Sequence, residues 1–465
     1  MRSAKIVCTL GPASMSEEVI RKLIDAGMDV ARINFSHGTH EEHRMVFDIV
    51  RRLSGTVAVM QDLQGPKIRV GEIGAGEVQL QSGEALTLTT RKIVGNGRAV
   101  HVTYPRLPGD VSPGDNIYLA DGIIHLEVER VENDDVHCRI LHGGSLTSRK
   151  GVNLPGVRIS APALTEKDRW DLEFGIKLGV DYVALSFVRS GEEVKDLKRT
   201  LKAHGSSAGV VAKIERREAL EDLGGIIDAV DALMIARGDL GVEIPAEEVP
   251  VVQKSIIAEC RRRGKPVITA TQMLESMVYS ERPTRAEVAD VANAVIDGTD
   301  AVMLSAETAT GEYPIESVIM MNKIASRMER YEGSWMNREE RGEHPGGDVS
   351  LVDAVCAGAV KVAGEIGASA IVCLTHSGRT ARLIARHRPQ VPVLALTDFP
   401  PVIRHMQLVW GVRGVAVDRI ESTERIFAIV RERMREEGLG GKVVLTAGIP
   451  TTEKVPTNTV HVIDI

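Results

Sequence analysis

The chain has 465 residues, enough for two to four domains, and its 43% hydrophobic content suffices for well-formed cores. A formal net charge of −7 gives no reason to expect nucleic-acid binding by bulk electrostatics, so an anionic ligand would have to be gripped by local cations. No apolar run approaches the roughly 18 residues of a membrane helix, and the five scattered cysteines, Cys8, Cys138, Cys260, Cys356 and Cys373, make no metal spacing and read as buried thiols of a reducing compartment.

The first predicted strand, AKIVCTLG (4–11), begins almost at once, which leaves no room for a targeting segment and makes a cytoplasmic location the expectation. Ser16 then caps a helix through EEVIRKLIDAG that Gly27 closes. Strands follow over DVARINFS (29–36) and VAVMQDLQ (57–64). From about 71 to 157 the texture changes to alternating apolar and polar residues broken by Gly, Asp and Pro turns, which predicts a small antiparallel β-domain, in effect a small β-barrel, inserted in a βα loop.

After the insertion the βα texture resumes. A capping box, Thr165 to Asp168, opens a helix, and strands follow over YVALSFVR (182–189), VVAKIE (210–215), ALMIARGD (232–239), PVITATQML (266–274) and AVMLSAET (301–308), with a second box, Thr284 to Glu287, before the last. Eight such units imply a closed (β/α)8 barrel of residues 1–70 and 158–332, close to the roughly 250 residues usual for that architecture. The polar stretch 332–348 reads as a linker. Beyond it, 333–465 forms a separate open α/β domain with strands AIVCLTHSG, VPVLALT, VRGVAV, GKVVLTAG and a final TVHVIDI.

Active sites of such barrels lie at the C-terminal strand ends. Here those ends carry Arg32, Asn34, Ser36, Asp62, Lys213, Glu215, Asp239, Thr271, Ser305 and Glu307, which core packing does not require. Lys213 and Glu215, two apart in a strand, face the same side. They are either a buried ion pair or, with Asp239, a cation and two carboxylates able to share a divalent metal beside an anionic substrate. An inserted domain at this end suits a lid.

The chain resembles the pyruvate kinases essentially end to end. The resemblance rests on KIVCTLGPAS (5–14), ARINFSHGTHEEH (31–43), DLQGPKIR (62–69), KGVNLPG (150–156), AKIE (212–215), ARGDLGVEIP (236–245), ATQMLESM (270–277), RPTRAEVADVANAV (282–295) and MLSAETATGEYP (303–314), all nine in order. It implies phosphoryl transfer from phosphoenolpyruvate to ADP, giving ATP and pyruvate. In it, Glu215 and Asp239 hold Mg²⁺ or Mn²⁺, and Lys213 neutralises charge on the phosphoryl group and enolate oxygen. Arg32 grips the phosphoryl group. Arg237-Gly238-Asp239 ends the sixth strand in a turn whose amides bind the substrate carboxylate, with Thr271 beside it on the path of a proton delivered through water. Ser305 and Glu307 support that path. Thr9, Pro12, Arg32, Asn34, His37 and Lys150 face the nucleotide, and Asp121 is a lid residue or a plain Asp-Gly turn.

Many members of that family place K⁺ beside Asn, Ser and Asp ligands, here Asn34, Ser36 and Asp62. This chain carries Leu63, Gln64 and Lys67 in the adjoining motif, a combination that goes with independence from K⁺. Two smaller departures are Ala306, where Gly is common, and Thr310, where Lys is common. In the C-terminal domain Thr375, Ser377, Gly378, Arg379 and Thr380 form a candidate cradle for a phosphorylated metabolite effector, or an ordinary capped helix start. The family's usual form is a homotetramer. Two rival readings are a metal-dependent barrel lyase acting on pyruvate or oxaloacetate enolates and a sensor with a relic barrel. The inserted domain and NFSHG argue against the first, and intact Lys213, Glu215, Asp239 and Thr271 against the second.

Overall fold

The computed structural model describes residues 2–74, 76–331, 350–418, 423–449 and 455–465. All eight expected strands form: β1 (Lys5–Leu10), β2 (Val30–Asn34), β3 (Ala58–Asp62), β4 (Tyr182–Leu185), β5 (Gly209–Ile214), β6 (Ala232–Ala236), β7 (Val267–Ala270) and β8 (Ala301–Leu304). They close in the order β1-β8-β7-β6-β5-β4-β3-β2 with every neighbouring pair parallel.

Local signals set the helices between them. Ser16 accepts a hydrogen bond from the Val19 amide, and Gly27 ends that helix at φ 118°. The boxes at Thr165/Asp168 and Thr284/Glu287 form, as does a third at Thr39/Glu42.

Period-two alternation then sorts each strand into core and site. Val30, Ala58, Met60, Val211, Ala232, Met234 and Ile268 fill the barrel interior with Leu408, which enters from the C-terminal domain and plugs the N-terminal end. That plug is held by ions. Arg388 reaches Asp300 at 3.0 Å and the Gly298 carbonyl at 2.6 Å, and its guanidinium lies 4.9 Å from the centre of the Trp410 ring. Trp410 is therefore a packing residue, 8% exposed. Arg51 and Arg404 both bind Asp181, at the entrance to β4.

The inserted β-domain forms as expected, except that one of its strand pairs is not antiparallel. It is a six-stranded sheet in the order Val152–Asn153, Asn116–Leu119, Ile124–Glu132, Asp135–His142, Ala85–Thr89, Ala99–His101, beside a two-stranded pair, Glu77–Leu80 with Gly144–Thr147. Ala85–Thr89 and Ala99–His101 run parallel. The connection between them is no hairpin: Gly95 is drawn to the strap at 72–74, donating to the Glu72 carbonyl at 2.7 Å and accepting from Gly74 at 3.1 Å. Both edge strands are very short, and both pair with the segment 68–71: Gly71 donates to the His101 carbonyl at 2.8 Å and Val70 to the Lys150 carbonyl at 2.9 Å, so the two edges of the sheet meet on it. Leu86, Leu88, Ile117, Leu119, Leu126 and Ile140 give this domain a core of its own.

The C-terminal domain is a five-stranded sheet of β9 (Ala370–Leu374), β10 (Val393–Thr397), β11 (Val412–Ala416), β12 (Lys442–Ala447) and β13 (Thr459–Asp464), ordered β11-β10-β9-β12-β13. Only β13 is antiparallel to its neighbour. The linker expected at 332–348 lies outside the described residues. Among the described residues no helix is long and apolar enough to cross a membrane, and all five cysteines are buried and unpaired.

Candidate active site

Five of the expected residues join in one buried charged network. Lys213 Nζ lies 2.8 Å from Glu215 Oε1 and 3.3 Å from Asp62 Oδ1. Asp62, the last residue of β3 and 1% exposed, also accepts from Arg32 Nε at 2.7 Å. Arg32 Nη1 donates to the Thr9 hydroxyl at 2.8 Å, and that hydroxyl donates to the Leu304 carbonyl at 2.9 Å. The Lys213–Glu215 ion pair is thus formed, inside a wider network of buried charges.

Charge balance decides the protonation states. Burial opposes the Lys213 ammonium, but Asp62 and Glu215 outweigh it and hold the pKa above the ordinary lysine value. Burial likewise opposes the Asp62 carboxylate, yet Lys213 and Arg32 leave its pKa below the usual value. Glu215 goes the other way: burial raises its pKa, and Lys213 does not offset this once the nearby Asp239 charge is added.

Two residues absent from the sequence reading complete the network. Lys213 donates to Ser186 Oγ at 2.8 Å, and the Phe187 amide donates to Glu215 Oε2 at 2.6 Å. The expected strand ran on to Arg189, but β4 stops at Leu185 and the chain turns, with Phe187 at φ 54°. An apolar run such as SFV carries no signal of that turn.

Asp239 is not in a strand-end turn as expected. A helix, Arg237–Glu243, starts directly after β6, with Asp239 in its first turn, where a carboxylate complements the helix dipole. The Gly238 amide donates to Thr271 Oγ1 at 2.9 Å, so the two groups assigned to the substrate carboxylate already meet. Thr271 sits at φ 67° and Gln272 at φ 54°. A left-handed β-branched residue costs on the order of 1–3 kcal/mol and persists only where its surroundings over-determine it. Arg237 does this. Its guanidinium donates to the Thr271 carbonyl at 2.7 Å and to the Gln272 carbonyl at 3.3 Å, while gripping both oxygens of Asp290 at 2.8 and 2.7 Å. Glu307, 2% exposed, makes no ion pair among the described residues. It accepts from the Leu274 and Ser305 amides at 3.1 and 2.7 Å and so ties the loops after β7 and β8 together.

On the nucleotide side, Asn34 Oδ1 accepts from the Ser36 amide at 3.1 Å, and His37 donates its amide to the Asn34 carbonyl at 3.3 Å. His37 is held below the ordinary histidine pKa by burial, then by Arg69, Lys67 and Arg32, which marks this flank as cationic. Pro12 is exposed, Leu63 is buried, and Lys150 is exposed where the inserted domain returns. Lys67 Nζ lies 3.6 Å from Asp239 Oδ1. Asp121, at φ 56°, is at the tip of a loop whose Gly122 approaches Val242, so that a Cβ there would come within 3.8 Å of it. The inserted domain therefore meets the helix that bears Asp239.

In the C-terminal domain Ser377 and Arg379 are exposed and Gly378, at φ 76°, donates to Thr375 Oγ1 at 2.9 Å. Thr380 does not join them. It is buried, and its hydroxyl pairs with Thr457 Oγ1 at 2.7 Å.

Among the described residues no group of three or more His, Cys, Asp and Glu side chains gathers as a metal cage. Two carboxylates would supply only part of a coordination sphere, which suits a hard cation completed by substrate oxygens and water.

The chain matches the family models "Pyruvate kinase, barrel domain" over residues 1–318 and "Pyruvate kinase, alpha/beta domain" over 353–463. It is 46% identical over 458 residues to pyruvate kinase 2 of Synechocystis, covering 96% of this chain and 76% of that one. It is 44% identical over 477 residues to the pyruvate kinase of Geobacillus stearothermophilus, covering 99% and 80%. A crystal structure of a pyruvate kinase from Cryptosporidium parvum superimposes with a TM-score of 0.93 at 35% identity, over 100% of this chain and 96% of that one. The chain belongs to the pyruvate kinase family, glycolytic phosphotransferases that pass the phosphoryl group of phosphoenolpyruvate to ADP.

Proposed function

We propose that the buried Arg32–Asp62–Lys213–Glu215 network is the phosphoryl-transfer centre, with Glu215 and Asp239 holding Mg²⁺ or Mn²⁺. The observation that carries this reading is the Lys213 ammonium, kept charged between Asp62 and Glu215 at a strand end. The donor set fits the metal: Glu215 is 1% exposed and its carboxylate is disfavoured by burial and by Asp239, a strain that a dication relieves. When bound, such an ion supplies charge neutralisation at the phosphoryl and enolate oxygens.

The chain's own groups do the rest. Arg32 fixes the phosphoryl group in line with the terminal phosphate of ADP, and Lys213 meets the charge that develops on the transferring group and on the enolate oxygen. The Gly238 amide and the Thr271 hydroxyl open to receive the substrate carboxylate. The enolate carbon then takes a proton from a water chain through Thr271, since a threonine hydroxyl alone is too weak an acid. Thr9, Pro12, Asn34, His37 and Lys150 hold the nucleotide, and the inserted residues 71–157 close over it with Asp121 at the front.

Lys67 replaces the monovalent cation in the neighbourhood of Asn34, Ser36, Asp62 and Leu63. Its side chain is 29% exposed and paired with Asp239, which supports a charge kept within the site rather than one pointing to solvent. A tethered ammonium there also repels K⁺. ATP formation from phosphoenolpyruvate and ADP, with Mg²⁺ present and K⁺ replaced by tetramethylammonium at equal ionic strength, is expected to stay within about tenfold of the rate with K⁺, a difference of about 1.4 kcal/mol. Lys67→Glu should lower activity without K⁺ and regain part of it when K⁺ is added. A larger rise with K⁺ in the parent protein rejects the substitution of lysine for the ion.

The protein works in the cytoplasm as a homotetramer, and a phosphorylated metabolite binds at Thr375, Ser377, Gly378 and Arg379 and shifts the saturation curve for phosphoenolpyruvate. Ser377→Ala with Arg379→Ala is expected to abolish that shift at unchanged basal turnover. Persistence of the response in the double variant makes the loop structural.

A further inference from the structure

Arg216 follows Glu215 and is one of the few arginines of the barrel that is almost fully buried, 5% exposed. A buried guanidinium is costly unless its donors are used, and its partners come from three places. Nε and Nη2 face the two Glu218 oxygens at 3.1 and 3.3 Å. Nη2 also donates to the Val157 carbonyl at 3.1 Å, on the segment by which the inserted domain returns to the barrel. The same nitrogen lies 3.8 Å from Glu243 Oε2, at the C-terminal end of the helix whose first turn carries Asp239.

Glu243 is itself 5% exposed, and its Oε2 has no hydrogen-bond partner among the described residues. Arg216 therefore stands between the hinge of the inserted domain and both elements assigned to the divalent ion, with one carboxylate oxygen left for it to bond more closely. A small cleft of about 20 Å³ separates Lys67, Phe187, Arg189 and Arg216 on the barrel side from Val152 and Ile159 on the hinge side. Arg189, which donates to the Ile159 carbonyl at 2.5 Å, is a second tether and keeps the hinge attached when Arg216 shifts.

We propose that Arg216 is a positioning residue that couples placement of the inserted domain to the Glu215–Asp239 metal pair. It touches neither substrate nor reacting atoms. It holds the base of the Glu215 strand end and the far turn of the Asp239 helix at a separation that depends on where Val157 lies. Coupling of this kind is reciprocal: the metal must tighten the hinge by the free energy with which hinge placement tightens the metal. The inference rests on the assignment of the metal to Glu215 and Asp239.

The test uses the full chain without substrate or nucleotide. Mn²⁺ affinity is read from the free-ion electron paramagnetic resonance signal, and hinge order from hydrogen exchange of the amides at 156–160 with and without Mn²⁺. In Arg216→Met, Mn²⁺ should bind about tenfold more weakly, as for other groups that support metal ligands, and the protection that Mn²⁺ confers on 156–160 should disappear. Arg216→Lys keeps the charge but cannot bracket three partners, so it should recover part of the affinity.

A folded Arg216→Met variant with affinity within about twofold of the parent and Mn²⁺-dependent protection intact overturns the proposal, because changes of that size lie below the second-layer effect expected. Should that variant not fold, Arg216→Lys decides: a loss of about threefold or more supports the coupling, and unchanged affinity overturns it. Glu215→Gln separates the two layers of the argument. If it binds Mn²⁺ as the parent does, the metal assignment fails. If it loses Mn²⁺ while the Arg216 variants behave as the parent, only the coupling fails.

Discussion

Replacing Lys213 by methionine is expected to cut kcat by two orders of magnitude or more, on the order of 3 kcal/mol of transition-state stabilisation, with little change in KM for phosphoenolpyruvate. The ammonium is already fixed and charged before substrate arrives, bonded to Ser186 and flanked by Asp62 and Glu215. A preorganised charge is most valuable where new negative charge appears, and that happens in the transition state rather than in bound phosphoenolpyruvate. Methionine keeps most of the stem volume but leaves Asp62 and Glu215 short of a buried partner, a loss worth about 3–5 kcal/mol of stability when a pair is broken. Asp62 retains Arg32, so the fold should survive with a lowered melting temperature. Steady-state kinetics on protein shown folded by calorimetry distinguishes the roles. A variant with normal kcat and a raised KM leaves Lys213 as a binding residue only.

Glu215→Gln is expected to raise the Mg²⁺ concentration needed for half-maximal activity and to lower turnover by orders of magnitude at saturating metal. Gln keeps the size of the side chain and can still accept from the Phe187 amide, so β5 and the turn at Ser186 should remain in place. What it loses is one of the two negative ligands proposed for the metal, and Asp239, 29% exposed and paired with Lys67, should not replace it alone. The substitution also removes a buried carboxylate whose ionisation burial disfavours, so stability should change less than for Lys213→Met. Wild-type activity and metal dependence in this variant would sink the metal assignment. The measurement is initial rate against free Mg²⁺ at fixed phosphoenolpyruvate and ADP.

The barrel was legible because its signals are local. Each strand is a short apolar run ending in polar residues, and each helix carries a cap within a few residues of its start, as at Ser16, Thr165 and Thr284. Period two alone predicted that Lys213 and Glu215 share a face, and they lie 2.8 Å apart. Where local pattern was ambiguous the reading went astray. SFV continues an apolar run, yet β4 ends before it, because Phe187 must turn its amide to Glu215, 28 residues away. ARGD reads as a turn, yet Arg237 opens a helix there, with its guanidinium held by Asp290 and by carbonyls after β7. One strand pair of the inserted sheet departs from the expected antiparallel pattern for a related reason: Gly95 follows residues 72–74 rather than folding back on its own strand.

Residue identity thus determined the eightfold repeat, the inserted and appended domains, and which side chains reach the strand ends, since alternation and capping act within a few residues. The tertiary structure decided what each charge faces. Asp62 meets Arg32 and Lys213 across 30 residues and more than 150, and Arg216 meets the hinge carbonyl of Val157 and the carboxylate of Glu243. Burial and Coulomb interactions depend on distance in space, and closing the barrel is what brings those groups within reach.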